Sequence, residues 1–96
     1  MKKVIVIRKD LSVSTGKMMS AIVHASDRVG KPLSYDKEDP LVVVTYVKSE
    51  QALLNLKAKC IQAGIPCGLQ RDGGINEVAG GTIMALCIGP ASAEVI

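Results

Sequence analysis

A chain of 96 residues suffices for one compact domain, residues 1–96, and leaves little for a second core. Its 48% hydrophobic and 22% charged residues exclude a disordered polar chain, and a net charge of +3 permits a phosphate-bearing partner without demanding one. Phe and Trp are missing and only Tyr35 and Tyr46 are aromatic, which argues against a platform of rings for stacking nucleic-acid bases.

The chain opens with Lys2-Lys3 and the apolar run Val4-Ile5-Val6-Ile7, which ends at Arg8. That run is too short for a signal peptide or a membrane span, and its continuity predicts a strand covered on both faces. A helix is expected from Ser14-Thr15-Gly16, where either hydroxyl can cap it, to about Val29, with Gly30-Lys31-Pro32 as the stop. At about 100° per residue, Met18, Ile22, Ala25 and Val29 share one face, and Lys17, Ser20, Ala21, His24 and Arg28 group on another.

Leu41 to Val47, introduced by Pro40, forms the second strand. Ser49 then caps a helix with Glu50 in its first turn and apolar positions at Leu53, Leu54, Leu56, Cys60 and Ile61; Gly64 and Pro66 end it. Cys67 to Arg71 makes a short third strand, and a Gly-rich connection, Asp72 to Gly81, leads to the last strand, Thr82 to Ile88. The order β-α-β-α-β-β predicts an α/β protein: a three-layer α/β/α sandwich around a four-stranded mixed sheet. The two βαβ crossovers make parallel pairs, and the third and fourth strands, with no helix between them, are free to run antiparallel.

Cys60, Cys67 and Cys87 are odd in number, lack C-x-x-C spacing and sit beside apolar runs. They read as free thiols of a reducing compartment, so the cytoplasm is the expected location. With one histidine in the chain, the usual zinc-ligand spacings are missing, and neither metal nor cofactor is expected.

Three clusters carry candidate chemistry. Arg8 and Asp10 leave the first strand at its carboxyl end, the edge where open α/β sheets gather ligands. Gly16 and Lys17 open the next helix, where a lysine opposes the helix dipole unless an anion sits there, and free backbone N–H groups favour one. His24 lies two turns further along the face of Lys17, a place suited to a base or a hydrogen-bonding group; a lone helical histidine is more often a surface residue. Asp72-Gly73-Gly74 is ordinary turn chemistry by composition. If its strand runs parallel to the first, however, Asp72 emerges at the edge that holds Lys17, able to orient the lysine or activate a water. The glycines of Ala79-Gly80-Gly81-Thr82 and Ile88-Gly89-Pro90 suit a close turn and a strand exit; no G-x-x-x-x-G-K-[ST] phosphate loop is present.

In combination these motifs resemble the archaeal-type (type 2) peptidyl-tRNA hydrolases. The opening Arg8-Lys9-Asp10-Leu11, then Gly16-Lys17, then His24-Ala25 eight residues after the glycine, is similar to the start of that family. So are the Val-rich strand 41–47 with Ser49-Glu50, the helix close Ala63-Gly64-Ile65-Pro66, and Asp72-Gly73-Gly74 eighteen residues before the end of Ile88-Gly89-Pro90. The likeness runs over roughly residues 3–90 and implies metal-independent hydrolysis of the ester between a peptidyl group and tRNA. It implies catalytic roles for Lys17 and Asp72 with His24 in support, and substrate or phosphate contacts at Arg8, Asp10, Gly16 and Asn76. It also implies tRNA as partner, no membrane, and pairing into a homodimer.

The chain departs from the family's pattern at three positions: Ala21 stands for Gln, Asn76 for Thr and Met84 for Thr. The alternative is therefore a degenerate relative that binds tRNA, a protein partner or a small phosphorylated ligand without hydrolysis.

Overall fold

The computed structural model describes residues 2–29, 41–72 and 80–92. They form β1 (Lys2–Arg8), α1 (Thr15–Val29), β2 (Leu41–Val47), α2 (Glu50–Gln62), β3 (Cys67–Arg71) and β4 (Ile83–Ala91), the expected order. The sheet runs β2-β1-β4-β3, with β1 and β2 parallel and β4 antiparallel to both β1 and β3. β3 is therefore parallel to β1. The carboxyl ends of β1, β2 and β3 and the start of β4 share one edge.

Alternation along the two central strands divides the core between two helices. Ile5 of β1 is fully buried in a cluster with Ala21 and Ala25 of α1 and Met84, Ala85 and Cys87 of β4. Its neighbour Val6 faces the other way, with Leu53 and Cys60 of α2 and Ile83, Leu86 and Ile88 of β4. The result is the three-layer sandwich, one helix on each side of the sheet. Among the described residues no helix is long and apolar enough to cross a membrane.

Local chemistry sets the helix ends. Ser14 caps α1: its Oγ accepts the Lys17 N–H at 3.2 Å and its carbonyl accepts the Met18 N–H at 3.1 Å. Ser49 caps α2 by accepting the Ala52 N–H at 3.2 Å. Gly64, with φ of +71°, closes α2, and the Ile65 N–H returns to the Cys60 carbonyl at 2.9 Å.

Two placements differ from the sequence reading, and a third was left open by it. Ala21 does not join the polar face of Lys17 and His24: it is 4% exposed, beneath α1, because the packed stripe reaches round to within one turn of Lys17. β4 continues past Ile88 through Gly89, with φ of +96°, and Pro90 to Ala91, which pairs with Lys2. The β1–β4 register shifts there, and an irregularity of that kind tolerates a proline without an N–H. β2 has the composition of an interior strand but lies at the edge of the described sheet, with Leu41, Val42, Val44 and Tyr46 all about half exposed or more.

Cys87 is fully buried, and desolvation pushes its thiol up to about 11. Cys60 is also buried and raised by desolvation, whereas Cys67 is partly exposed. A thiol reagent at pH 8 is expected to label Cys67 first in the native protein and the other two only on unfolding; mass mapping of the labelled peptides checks this. The sign for stability follows from the same shift. The buried thiol contributes stability that is intact below its unfolded value near 9 and is lost as pH rises toward 11.

Candidate active site at the carboxyl edge of the sheet

The Arg8 side chain turns along the carboxyl edge as β1 ends. Its Nε and Nη2 donate to the two carboxylate oxygens of Asp10 at 3.0 and 2.7 Å, and Nη1 donates to the Ile83 carbonyl at 3.0 Å. A bulge frees that carbonyl. Gln70 pairs with Ala85 but Arg71 with Ile83, so Met84 is the extra residue at the start of β4. The fork holds Asp10 ionised: the hydrogen bonds from Arg8 lower its pKa, and those same bonds raise that of Arg8. Asp10 is thus a poor proton acceptor and a good anchor.

Across the edge, Lys17 Nζ lies 2.8 Å from Asp72 Oδ1, and the two side chains are only 13% and 14% exposed. The backbone clamps Asp72 from both sides. Its N–H donates to the Thr82 carbonyl and its carbonyl accepts from the Gly81 N–H, both at 2.8 Å, and Gly81 has a φ of +84°. This ladder end fixes the carboxylate under the first turn of α1, where the Ser14 cap has already set Lys17. At Gly16 an added Cβ would meet nothing within 4 Å among the described residues.

The remaining site candidates divide. His24 is exposed and lies two turns along α1, about 10 Å by helix rise, away from the Lys17–Asp72 contact. Asn76, with Gly73 and Gly74, lies outside the described residues.

Gln70 heads the candidate cluster Gln70-Arg71-Asp72-Gly73-Gly74, but the sequence alone assigns it no role. It is 6% exposed on β3, on the sheet face covered by α1, since its partner Ala85 packs there. Its Nε2 donates to the Arg71 carbonyl at 2.9 Å, while its buried Oε1 has no hydrogen-bond partner among the described residues. A polar residue two positions before Asp72 in an otherwise apolar strand was the available signal. An unsatisfied buried acceptor costs about 1–3 kcal/mol, against about 0.5–1.5 kcal/mol for the bond its amide makes. Gln70→Met is therefore expected to raise stability by about 1 kcal/mol, or about 4–8 °C in Tm for a domain of this size, readable by thermal unfolding.

The edge thus combines an ammonium group at a helix start with a backbone-clamped carboxylate. Such a set can stabilise an oxyanion and take a proton from water, which is the chemistry of ester hydrolysis.

Comparison with known proteins agrees. The family model described as peptidyl-tRNA hydrolase PTH2 matches residues 1–96. The chain is 39% identical to a peptidyl-tRNA hydrolase of Thermococcus onnurineus, over 99% of this chain and 88% of the relative. It is 36% identical to that of Methanocaldococcus jannaschii, over 100% and 91%, and 36% identical to that of Methanopyrus kandleri, over 99% and 89%. The sequence motifs, the sheet topology and the full-length match converge: the chain belongs to the peptidyl-tRNA hydrolase PTH2 family.

Proposed function

We propose that this protein hydrolyses the ester between a peptidyl group and the 3′ ribose of tRNA, with Lys17 and Asp72 as its catalytic pair. The observation that carries the assignment of roles is their 2.8 Å contact at the ligand-gathering edge. A water beside Asp72 attacks the ester carbonyl carbon and passes a proton to the carboxylate. Lys17 Nζ stabilises the negative charge that develops on the carbonyl oxygen. The C–O3′ bond then breaks and the proton returns from the carboxylate to the leaving ribose oxygen; the products are tRNA with a free 3′ hydroxyl and a peptide carboxylic acid, which gives its remaining proton to solvent. The step needs no metal or cofactor.

Arg8 and Asp10 serve this site as a braced pair that shapes the edge, with the outer N–H groups of Arg8 turned to phosphate. Gly16 keeps the helix start open to the substrate, and Asn76 supplies a polar contact to it. His24 supports from the rim. The protein acts in the cytoplasm, where its substrate is made, and as a homodimer.

Release of an N-acetyl-aminoacyl group from charged tRNA, measured with a metal chelator present, tests the reading. Turnover that survives chelation is expected. Absence of turnover from protein that binds tRNA would assign the chain to the non-hydrolysing alternative instead.

A further inference from the structure

We propose that Lys9, Tyr46 and Lys48 form a docking surface for the single-stranded 3′ end of tRNA, leading it into the Lys17–Asp72 site. The inference rests on the hydrolase reading above for the identity of the RNA.

Tyr46 is 56% exposed on the edge strand. It stands opposite Ile7, which packs beneath α1, so its ring lies on the same side of the sheet as Lys17 and Asp72. α1 lies over β4, β3 and β1 and does not reach β2, which leaves that face of the ring uncovered by the helix. Lys9 Nζ sits 4.4 Å from the ring centroid. The Lys9 N–H donates to the Val47 carbonyl at 2.9 Å, which ties the exit of β1 to the end of β2 and fixes this pairing. An aromatic ring with a cation at its face offers a base or sugar an apolar surface and its phosphate a charge.

The charge balance of the edge points the same way. Asp10 is taken by Arg8 and Asp72 by Lys17, while Glu50 opens α2 on the other side of the sheet. Lys9 and Lys48 are both exposed, and among the described residues neither is paired with a carboxylate. Among the described residues, the charge left over on this side of the edge is that of the two lysines. From β2 to β3 is three strand spacings, about 14 Å, so a ligand that meets both Tyr46 and Asp72 is a polymer rather than a single anion. One ring does not make a multi-base platform, consistent with the low aromatic content; it makes one contact along a strand held chiefly by charge.

The test is tRNA binding by the full chain across a salt series, with turnover of peptidyl-tRNA compared to an N-acetyl-aminoacyl ester of a single nucleoside. Lys9→Gln with Lys48→Gln is expected to weaken tRNA binding at least tenfold near 100 mM salt. The slope of log K against log salt should fall by about 1.4, or about 0.7 for each single-strand phosphate left without its lysine. Tyr46→Leu is expected to weaken binding severalfold with the slope kept. With all three residues replaced, kcat/KM on tRNA relative to the nucleoside ester falls by tenfold or more. Unchanged affinity and slope in the folded double variant would overturn the proposal, even if the wild type hydrolyses its ester. The expected fall in slope, together with a wild type that shows no turnover, would keep the docking surface and remove the hydrolase reading.

Discussion

Lys17→Ala and Asp72→Asn are each expected to lower kcat on peptidyl-tRNA by about 100- to 1000-fold, the usual cost of removing one group that meets charge developing in the transition state. The two side chains touch each other, so their effects should not multiply. The double variant should fall little below the worse single one, as residues acting as a unit do. Each replacement also removes the 2.8 Å ion pair between two largely buried groups, so unfolding measurements should show a loss of about 1–3 kcal/mol. Stability alone does not account for the kinetic loss, because folded variant at saturating substrate still reports kcat. His24→Ala is the internal control. At two turns from the pair, its truncation is expected to cost less than about fivefold, in keeping with a supporting place. Full turnover in both Lys17→Ala and Asp72→Asn would remove this pair from the reaction.

The architecture was legible because each element carried its own punctuation. Ser14 and Ser49 are caps, Gly64 is a helix stop, and a Gly-rich connection without a helix left the third and fourth strands free to pair antiparallel, as they do. From these alone β3 was free to run parallel to β1, which is what brings Asp72 to Lys17. The finer placements were hidden for physical reasons. Apolar composition marks β2 as a strand but does not say whether a neighbour pairs on both sides, so its edge position was invisible. A helical wheel divides α1 into faces only to within one residue's arc, and Ala21, small and indifferent to either side, fell on the wrong one. The bulge at Met84 depends on register, and it decides where Arg8 finds the Ile83 carbonyl. Gln70 Oε1 depends on burial. Neither is written in residue type.

The same geometry bears on the departures at Ala21 and Met84, positions where the family resemblance implies Gln and Thr. The two residues are distant in the chain but belong to one buried cluster, at 4% and 1% exposure. A small side chain on the helix and a large flexible one on the bulge share this cluster, and we propose that the two departures are one volume-conserving exchange of polar for apolar contents. Ala21→Gln alone is then expected to overpack the layer and bury an amide, costing about 2 kcal/mol. Met84→Thr alone leaves a void and a lone hydroxyl, costing about 2–4 kcal/mol. The double variant lets the amide occupy the space that the thioether vacates and bond the hydroxyl. Its destabilisation in urea should be at least 1 kcal/mol smaller than the sum of the two single effects, within the range seen for residues in one cluster. Strict additivity would mean that the exchanges are independent and that each position gave up its polar group for its own reason. Because Ala21 lies one turn from Lys17, turnover of the double variant carries a second answer. A rise above wild type would show that a polar layer beneath the ammonium assists hydrolysis, whereas an unchanged rate would show that the pair at the edge works over an apolar floor.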